Sequence, residues 1–254
     1  MRLRVLGCSG GELPQHRTTC FLVDGRLAID AGALTASLPL DALMQVDDIL
    51  LTHSHFDHMK DVPLLADLLV GKRKRPIRVH ASRECVRTLR EHVFNDRLWP
   101  DFTRIPDARR PILELRPFDA RRSFRAGRYT VRAVPVNHPV ASTGFLVSDG
   151  KAAVAVSGDT GPTHRFWKAV NAERRLRALL VELSFPSTLQ QLADLSGHLT
   201  PSTLAGELAK VERNGFPVYL YHLKPAHEAA LRRELDRLAL DGVRPLALGE
   251  DLTL

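Results

Sequence analysis

The stretch LLTHSHFDHMKD, residues 50–61, crowds three histidines and two aspartates into its last nine positions. It continues the apolar run VDDILL, which predicts a short buried strand ending in the cluster. His53 and His55 are two apart, so on an extended segment they share a face. Asp57 and His58 follow where the chain has to turn. Asp61 leads into DVPLLADLLVG, whose apolar spacing predicts a helix stopped at Gly71. A single histidine is more often structural. Ligand-type residues spaced H-x-H-x-D-H predict a metal site. Imidazole with carboxylate suits zinc, with manganese and iron as competitors. The spacing offers too many ligands for one closed tetrahedral site, so two divalent metal ions sharing a bridge explain the count better.

The rest of the composition bounds what such a site can belong to. The chain has 254 residues, 44% of them hydrophobic and 26% charged, an ordinary globular balance. That length suits one large domain or two small ones and can bury a sizeable core. No apolar run approaches a membrane span, so no membrane partner is expected. MRLRVLGCSGG has no apolar targeting core, and a cytoplasmic protein is the expectation. Cys8, Cys20 and Cys85 are odd in number and form no C-x-x-C pair, which argues against a disulfide framework or a thiolate zinc site. Thirty-six Lys and Arg against 29 Asp and Glu give a net charge of +7, favouring an anionic partner or substrate. The densest patch, Lys72 to Arg75 in GKRKRP, reads as a solvated loop after a helix or as a nucleic-acid contact.

Outward from the cluster, strand-like and helical runs alternate. LRVLG and TCFLVDGRLAIDAG read as strands joined by a Gly-rich turn and by DGR. IRVHA predicts a strand, and SRECVRTLREHVF a helix capped by Ser82. Residues 95–128 read as irregular and are expected to cover one side of the site. YTVRAVPVNH, STGFLVS and AAVAVSGD predict strands, as do RALLVELS and PVYLYH. TPSTLAGELAKVERNG and KPAHEAALRRELDRLALDG predict helices. With no repeat or long linker, one α/β domain over residues 1–254 is the simplest organisation.

Further ligand candidates stand at the ends of these runs: His138 after VPVN, Asp159 in AVAVSGDT, His222 closing PVYLYH, and His198 in the loop DLSGHLT. Alone, each has another reading. Asp159 can cap a helix, His198 can sit in a turn, and His138 and His222 can be hydrogen-bonded core histidines. Together, downstream of H-x-H-x-D-H, they point to one edge of a sheet gathering ligands.

THSHFDHM, NHPVASTGF, SGDTG and YLYHLKP, in that order, resemble the metallo-β-lactamase superfamily of binuclear metallohydrolases. The resemblance runs from about residue 3 to residue 224. It implies an αββα four-layer sandwich, two mixed β-sheets flanked by helices. It implies one metal on His53, His55 and His138, a second on Asp57, His58 and His222, and Asp159 bridging them. An aspartate at the bridge is similar to the phosphodiesterase and nuclease branches.

VELSFPSTLQQLADLSGHLTP narrows the branch. In ribonuclease Z-like and phosphodiesterase-like members, an acidic residue after a strand precedes a loop histidine that meets the phosphate. The matching residues are Glu182 and His198. An imidazolium beside a developing charge can donate a proton, and Glu182 can orient it; a surface carboxylate is the other reading of Glu182. FNDRLWPDF with VELSFP, SGHLTP and YHLKP resembles the class II 3′,5′-cyclic-nucleotide phosphodiesterases. Trp99 would then either stack on a base or pack its loop onto the core. Phe56 and Asp61 depart from that pattern, which usually has leucine and a small residue there.

The resemblance therefore implies binuclear hydrolysis of a small anionic phosphodiester, a 3′,5′-cyclic nucleotide with cyclic AMP as the working substrate, to its 5′-monophosphate. A water activated between the metals would attack phosphorus, with His198, Asp57 and Glu182 as catalytic groups. No residue reads out the base. A homodimer is compatible with it. Ribonuclease Z-like RNA cleavage is the rival, weakened because only the twenty residues 139–158 separate His138 from Asp159, leaving no room for a tRNA-gripping arm. β-Lactamase activity lacks any sign of export, and a thioesterase would not explain the His198 loop. A metal-bound binding module without catalysis would be expected to have lost a ligand.

Overall fold

The alternation of apolar residues along the strands decides the layering. The computed structural model describes residues 1–213 and 215–254. Labelled in chain order, β1 (Arg2–Gly7), β2 (Cys20–Val23), β3 (Leu27–Ile29), β4 (Asp48–Leu50), β5 (Ile77–Ala81), β6 (Leu113–Pro117) and β14 (Asp251–Thr253) form one sheet, in the order β14-β1-β2-β3-β4-β5-β6. β7 (Phe124–Ala126), β8 (Tyr129–Pro135), β9 (Thr143–Ser148), β10 (Ala153–Val156), β11 (Leu176–Glu182), β12 (Val218–Tyr221) and β13 (Val243–Pro245) form the other, in the order β13-β12-β11-β10-β9-β8-β7. Both sheets are mixed. Antiparallel pairing gives way to parallel pairing at β3–β4 in the first sheet and at β10–β11 in the second.

Inner strands such as β2 and β10 are apolar on both faces, as strands covered on both sides must be. In β10, Val154 and Val156 enter the layer between the sheets, while Ala155 enters the outer layer. In β11, Ala178 and Leu180 point inward, and Leu179 and Val181 outward. The middle layer joins Val5, Phe21 and Leu50 of the first sheet to Val131, Phe145 and Tyr221 of the second. Phe21 and Tyr221 meet edge to face at 5.2 Å, a geometry favoured by the ring quadrupoles.

Helices cover the outer faces. Val62, Leu65 and Leu69 of α4 (Asp61–Leu69) pack on the first sheet with Val86 of α5 (Arg83–Thr88). Phe166 and Trp167 of α6 (Arg165–Ala172), Leu204 of α8 (Pro201–Leu208) and Leu231 of α9 (Glu228–Leu238) pack on the second. Three short helices, α1 (Leu34–Ser37), α2 (Leu40–Leu43) and α3 (Phe56–Met59), lie in the first half, and α7 (Gln190–Ser196) precedes α8. The four layers are the expected αββα sandwich. No helix among the described residues is long and apolar enough to cross a membrane.

Ser82 caps α5 as expected, its hydroxyl accepting the Cys85 N–H at 3.1 Å. The helical coil then widens over Leu89–Val93, closed by Phe94 N–H on Leu89 O. Residues 95–128 are not irregular throughout: they hold β6 and β7, the edge strands of the two sheets. Charged Glu114 and Arg116 on β6 and the short β7 conceal the strand pattern, as edge strands tend to. Phe102, Ile112 and Leu115 sink into the outer core of the first sheet, and no residue of 95–128 joins the ligand cluster among the described residues. Trp99 packs against that core and bridges to Phe94, so its loop-packing reading holds. The helix expected over TPSTLAGELAKVERNG stops at Leu208, and Asn214 lies outside the described residues.

Candidate active site

The segment after β4 builds the first flank of the site. Leu51 and Thr52 are buried, and the chain bends at Thr52 and runs on to His55, the N-cap of α3. Thr52 anchors this turn. Its N–H and hydroxyl both reach Asp30 Oδ1, at 2.8 and 3.0 Å. Asp30 follows β3 with φ at 58°, a left-handed conformation that aspartate tolerates better than most residues. Its other oxygen accepts His58 Nδ1–H at 2.7 Å. Asp30 is fully buried, as are His53 and His58. With Nδ1 committed, His58 presents Nε2.

The second flank comes from loops of the other sheet. His138 follows β8 and donates Nδ1–H to Gly197 O at 3.0 Å, leaving Nε2 3.3 Å from His55 Nδ1. His222 follows β12 at φ 68°, with its N–H on Cys8 O. Its Nδ1 meets Ser184 Oγ at 2.9 Å. Gly10 must be glycine beside it, since a Cβ there would stand 2.5 Å from His222 O. Gly197 ends α7 at φ 65°, and a Cβ there would lie 2.7 Å from Pro139.

Asp159 sits where the flanks meet. Its Oδ2 lies 3.2 Å from Nε2 of both His58 and His222, and 3.8 Å from Nε2 of His53. His58 and His222 bring their Nε2 atoms within 3.3 Å of each other, and Asp57 Oδ2 is 3.3 Å from His222 Nε2. The structure thus brings all seven expected ligands together, in groups that include His53–His55–His138 and Asp57–His58–His222.

The donor set fits divalent cations. His53 Nε2 and Asp159 Oδ1 are buried without a hydrogen-bond partner, an expensive state unless another group meets them. The Nδ1 atoms of His58, His138 and His222 are held by a carboxylate, a carbonyl and a hydroxyl, the arrangement that fixes ligating tautomers, while His55 turns its own Nδ1 toward His138. Burial alone would raise Asp159, yet His222 and His58 hold it well below the usual carboxylate range. Burial lowers His58, but Asp159 and Asp30 outweigh it and push the imidazolium well up. Burial, with His58 adding to it, holds His53 well below the usual histidine range. The carboxylates that draw a proton to His58 would equally draw a cation.

His198 follows Gly197 and precedes the Thr200 cap of α8, whose hydroxyl receives the Thr203 N–H. Its Nδ1 lies 3.2 Å from Glu182 Oε1 and 3.1 Å from Ser184 Oγ, leaving Nε2 for a ligand. Its ring stacks on His222 at 5.3 Å and meets His138 edge-on at 5.1 Å. Glu182 is fully buried, not a surface carboxylate, and also accepts N–H bonds from Thr160 and Leu199. Burial lowers the His198 imidazolium, and the Glu182 charge more than offsets this, leaving it raised.

Asp30, Thr52 and Ser184 were not singled out in the sequence. Asp30 directly follows the strand LAI, a strand-then-acid pattern like the one that marked Asp159. Thr52 and Ser184 carry no comparable signal. Asp61, crowded into the opening stretch, is structural: buried, it accepts Thr35 N–H at 2.7 Å and pairs with Lys60 at 3.1 Å. Phe56 is 66% exposed. In the basic loop, Arg73 is spent on Met44 O, Val46 O and Asp47. All three thiols are free.

Residues 21–222 match the family described as the beta-lactamase superfamily domain. A probable 3′,5′-cyclic-nucleotide phosphodiesterase of Yersinia pestis is 27% identical over 236 residues, covering 82% of this chain and 66% of that protein. The 3′,5′-cyclic-nucleotide phosphodiesterase 1 of Saccharomyces cerevisiae is 26% identical over 230 residues, covering 76% of this chain and 60% of that one. The chain thus spans somewhat less than two thirds of the length of either relative. The crystal structure of unliganded yeast PDE1 superposes with a TM-score of 0.82 at 21% identity, covering 100% of this chain and 99% of that one, a likeness of fold. The matched span holds every residue of the cluster from His53 to His222, and this chain belongs to the beta-lactamase superfamily.

Proposed function

We propose that this protein is a metal-dependent phosphodiesterase that opens a 3′,5′-cyclic nucleotide, cyclic AMP first among the candidates, to its 5′-monophosphate. The observation that carries the reading is Asp159 Oδ2 between His58 and His222 at 3.2 Å each, beside buried donor atoms without partners. Two relatives named as cyclic-nucleotide phosphodiesterases support the substrate class. His53, His55 and His138 would hold one divalent cation, and Asp57, His58 and His222 the other, with Asp159 shared. The pair, zinc first and manganese or iron as alternatives, would acidify a water and polarise the phosphoryl group.

The chain's own residues supply the rest. Asp30, Ser184 and Gly197 O orient the ligating rings. Glu182 holds Nδ1 of His198, so that Nε2 carries the mobile proton. An attacking water, its first proton released to solvent, would form its O–P bond as the P–O3′ bond breaks. His198 gives its proton to the departing 3′ oxygen, which leaves as an alcohol. Asp57 lies at the mouth of the ligand set with its side chain 29% exposed, the most open of its carboxylates. We read residues 1–254 as one hydrolase domain, supported by the middle core drawn from both sheets. The free thiols agree with a cytoplasmic setting.

The test is a product assay on metal-reconstituted protein offered cyclic AMP, cyclic GMP, an aryl phosphodiester and a precursor tRNA. Conversion of a cyclic nucleotide to the 5′-monophosphate is expected. Cleavage of tRNA alone would replace this reading with an RNA-processing one, and no phosphodiester turnover at all would remove it.

A further inference from the structure

Metal-site chemistry leaves one electrostatic question open. Two divalent cations and a protonated His198 would bring five positive charges, against four negative ones on Asp30, Asp57, Asp159 and Glu182 in the same cluster. A surplus of one charge gives modest attraction for an anionic diester, and a further cation near His198 would add to it.

Lys224 meets that description. It stands two residues beyond His222, half-buried, with its N–H on Ser184 O at 3.4 Å. Its ammonium lies 5.8 Å from the centre of the Phe185 ring, and that ring lies 5.7 Å from the His198 ring. Phe185 is thus a common neighbour of Lys224 and His198. An aromatic face holds an ammonium without neutralising it. Lys60, also beside the ligand segment, is already paired with Glu12 at 3.5 Å and Asp61 at 3.1 Å. No carboxylate pairs with the Lys224 ammonium among the described residues.

We propose that Lys224 is the anion-recognition residue of this site, its ammonium meeting a non-bridging oxygen of the phosphodiester while His198 faces the leaving oxygen. This rests on the phosphodiesterase reading above. A lysine is a compact charge on a flexible stem, suited to an oxygen that shifts as the phosphorus geometry changes.

The test compares metal-reconstituted wild type with Lys224→Met and Lys224→Arg. Metal content is measured first, then inorganic phosphate binding by calorimetry, then hydrolysis of cyclic AMP and bis(p-nitrophenyl) phosphate over a range of salt. The Met variant is expected to keep its metals and bind phosphate roughly 10- to 100-fold more weakly, the range of one charged hydrogen bond. Its KM should rise by a similar factor with a smaller fall in kcat, and the salt dependence of kcat/KM should flatten. Arg should restore most of both. Lys224→Gln repeats the comparison should Met disturb the loop. Unchanged phosphate affinity and KM in the Met variant would overturn the assignment and leave the reaction standing. Weakened phosphate binding in a protein that hydrolyses no diester would keep the anion site and remove the reaction.

Discussion

The two flanks of the cluster hold their histidines by different means. On the first-sheet flank, His58 leans on a buried carboxylate, Asp30, at 2.7 Å. On the second-sheet flank, His138 leans on a backbone carbonyl and His222 on the Ser184 hydroxyl, whose own proton goes to Glu182 at 2.8 Å. The consequence shows in the rings. Burial works against a proton on both, but Asp159 and Asp30 hold His58 up, whereas burial keeps His138 below its ordinary value. A cation arriving at His58 would take up the pull that Asp159 and Asp30 exert on its ring, whereas His138 has only a backbone carbonyl behind it. A carboxylate behind a ligating imidazole raises its basicity, and neutral partners mainly fix its tautomer. The flanks therefore differ in what each supporting residue is worth.

Four substitutions sharpen or break that contrast. Asp159→Ala, which removes the group touching both flanks, should have the largest effect: most bound metal lost and hydrolysis nearly abolished. Elemental analysis beside a turnover assay reads both, and full metal stoichiometry would remove Asp159 from the bridge. Next, His198→Ala should leave metal content intact while turnover falls about 10²–10⁴-fold, the usual range for a general acid. Full activity would reject that role.

Asp30→Asn tests the charged flank alone. Metal affinity, measured by competition with a chelator, should fall about 10–100-fold, as for other supporting carboxylates. Ser184→Ala tests the neutral flank and should cost least, about 1 kcal/mol or under tenfold in affinity, the worth of one neutral hydrogen bond. A larger loss from Ser184→Ala than from Asp30→Asn would mean that the two flanks are supported in the same way.

Legibility in the sequence follows the same division. The residues of the first flank lie within H-x-H-x-D-H, where spacing alone shows that they can converge. Strand ends marked His138, Asp159 and His222, because apolar runs that stop at a polar residue are visible without coordinates. Edge strands β6 and β7 were hidden by alternating charge and by their shortness. Helices α6 and α7 also escaped notice. α6 buries Phe166 and Trp167 on one face only, and α7 buries Ala193 but exposes Leu195. Asp61 stands among the ligand candidates in sequence, yet helix geometry turns it toward Thr35 and away from the cluster.

By itself, then, the sequence determined the alternation of buried strands and helices and the inventory of ligand candidates, because these follow from periodicity and side-chain chemistry. Only the tertiary structure decided which nitrogen each histidine presents, that Asp30 and Ser184 stand behind those rings, and that Glu182 is buried against His198. The physical reason is that tautomer, burial and ion pairing depend on groups far apart in the chain. Asp30 and His58 meet across 28 positions, and His58 and His222 across 164.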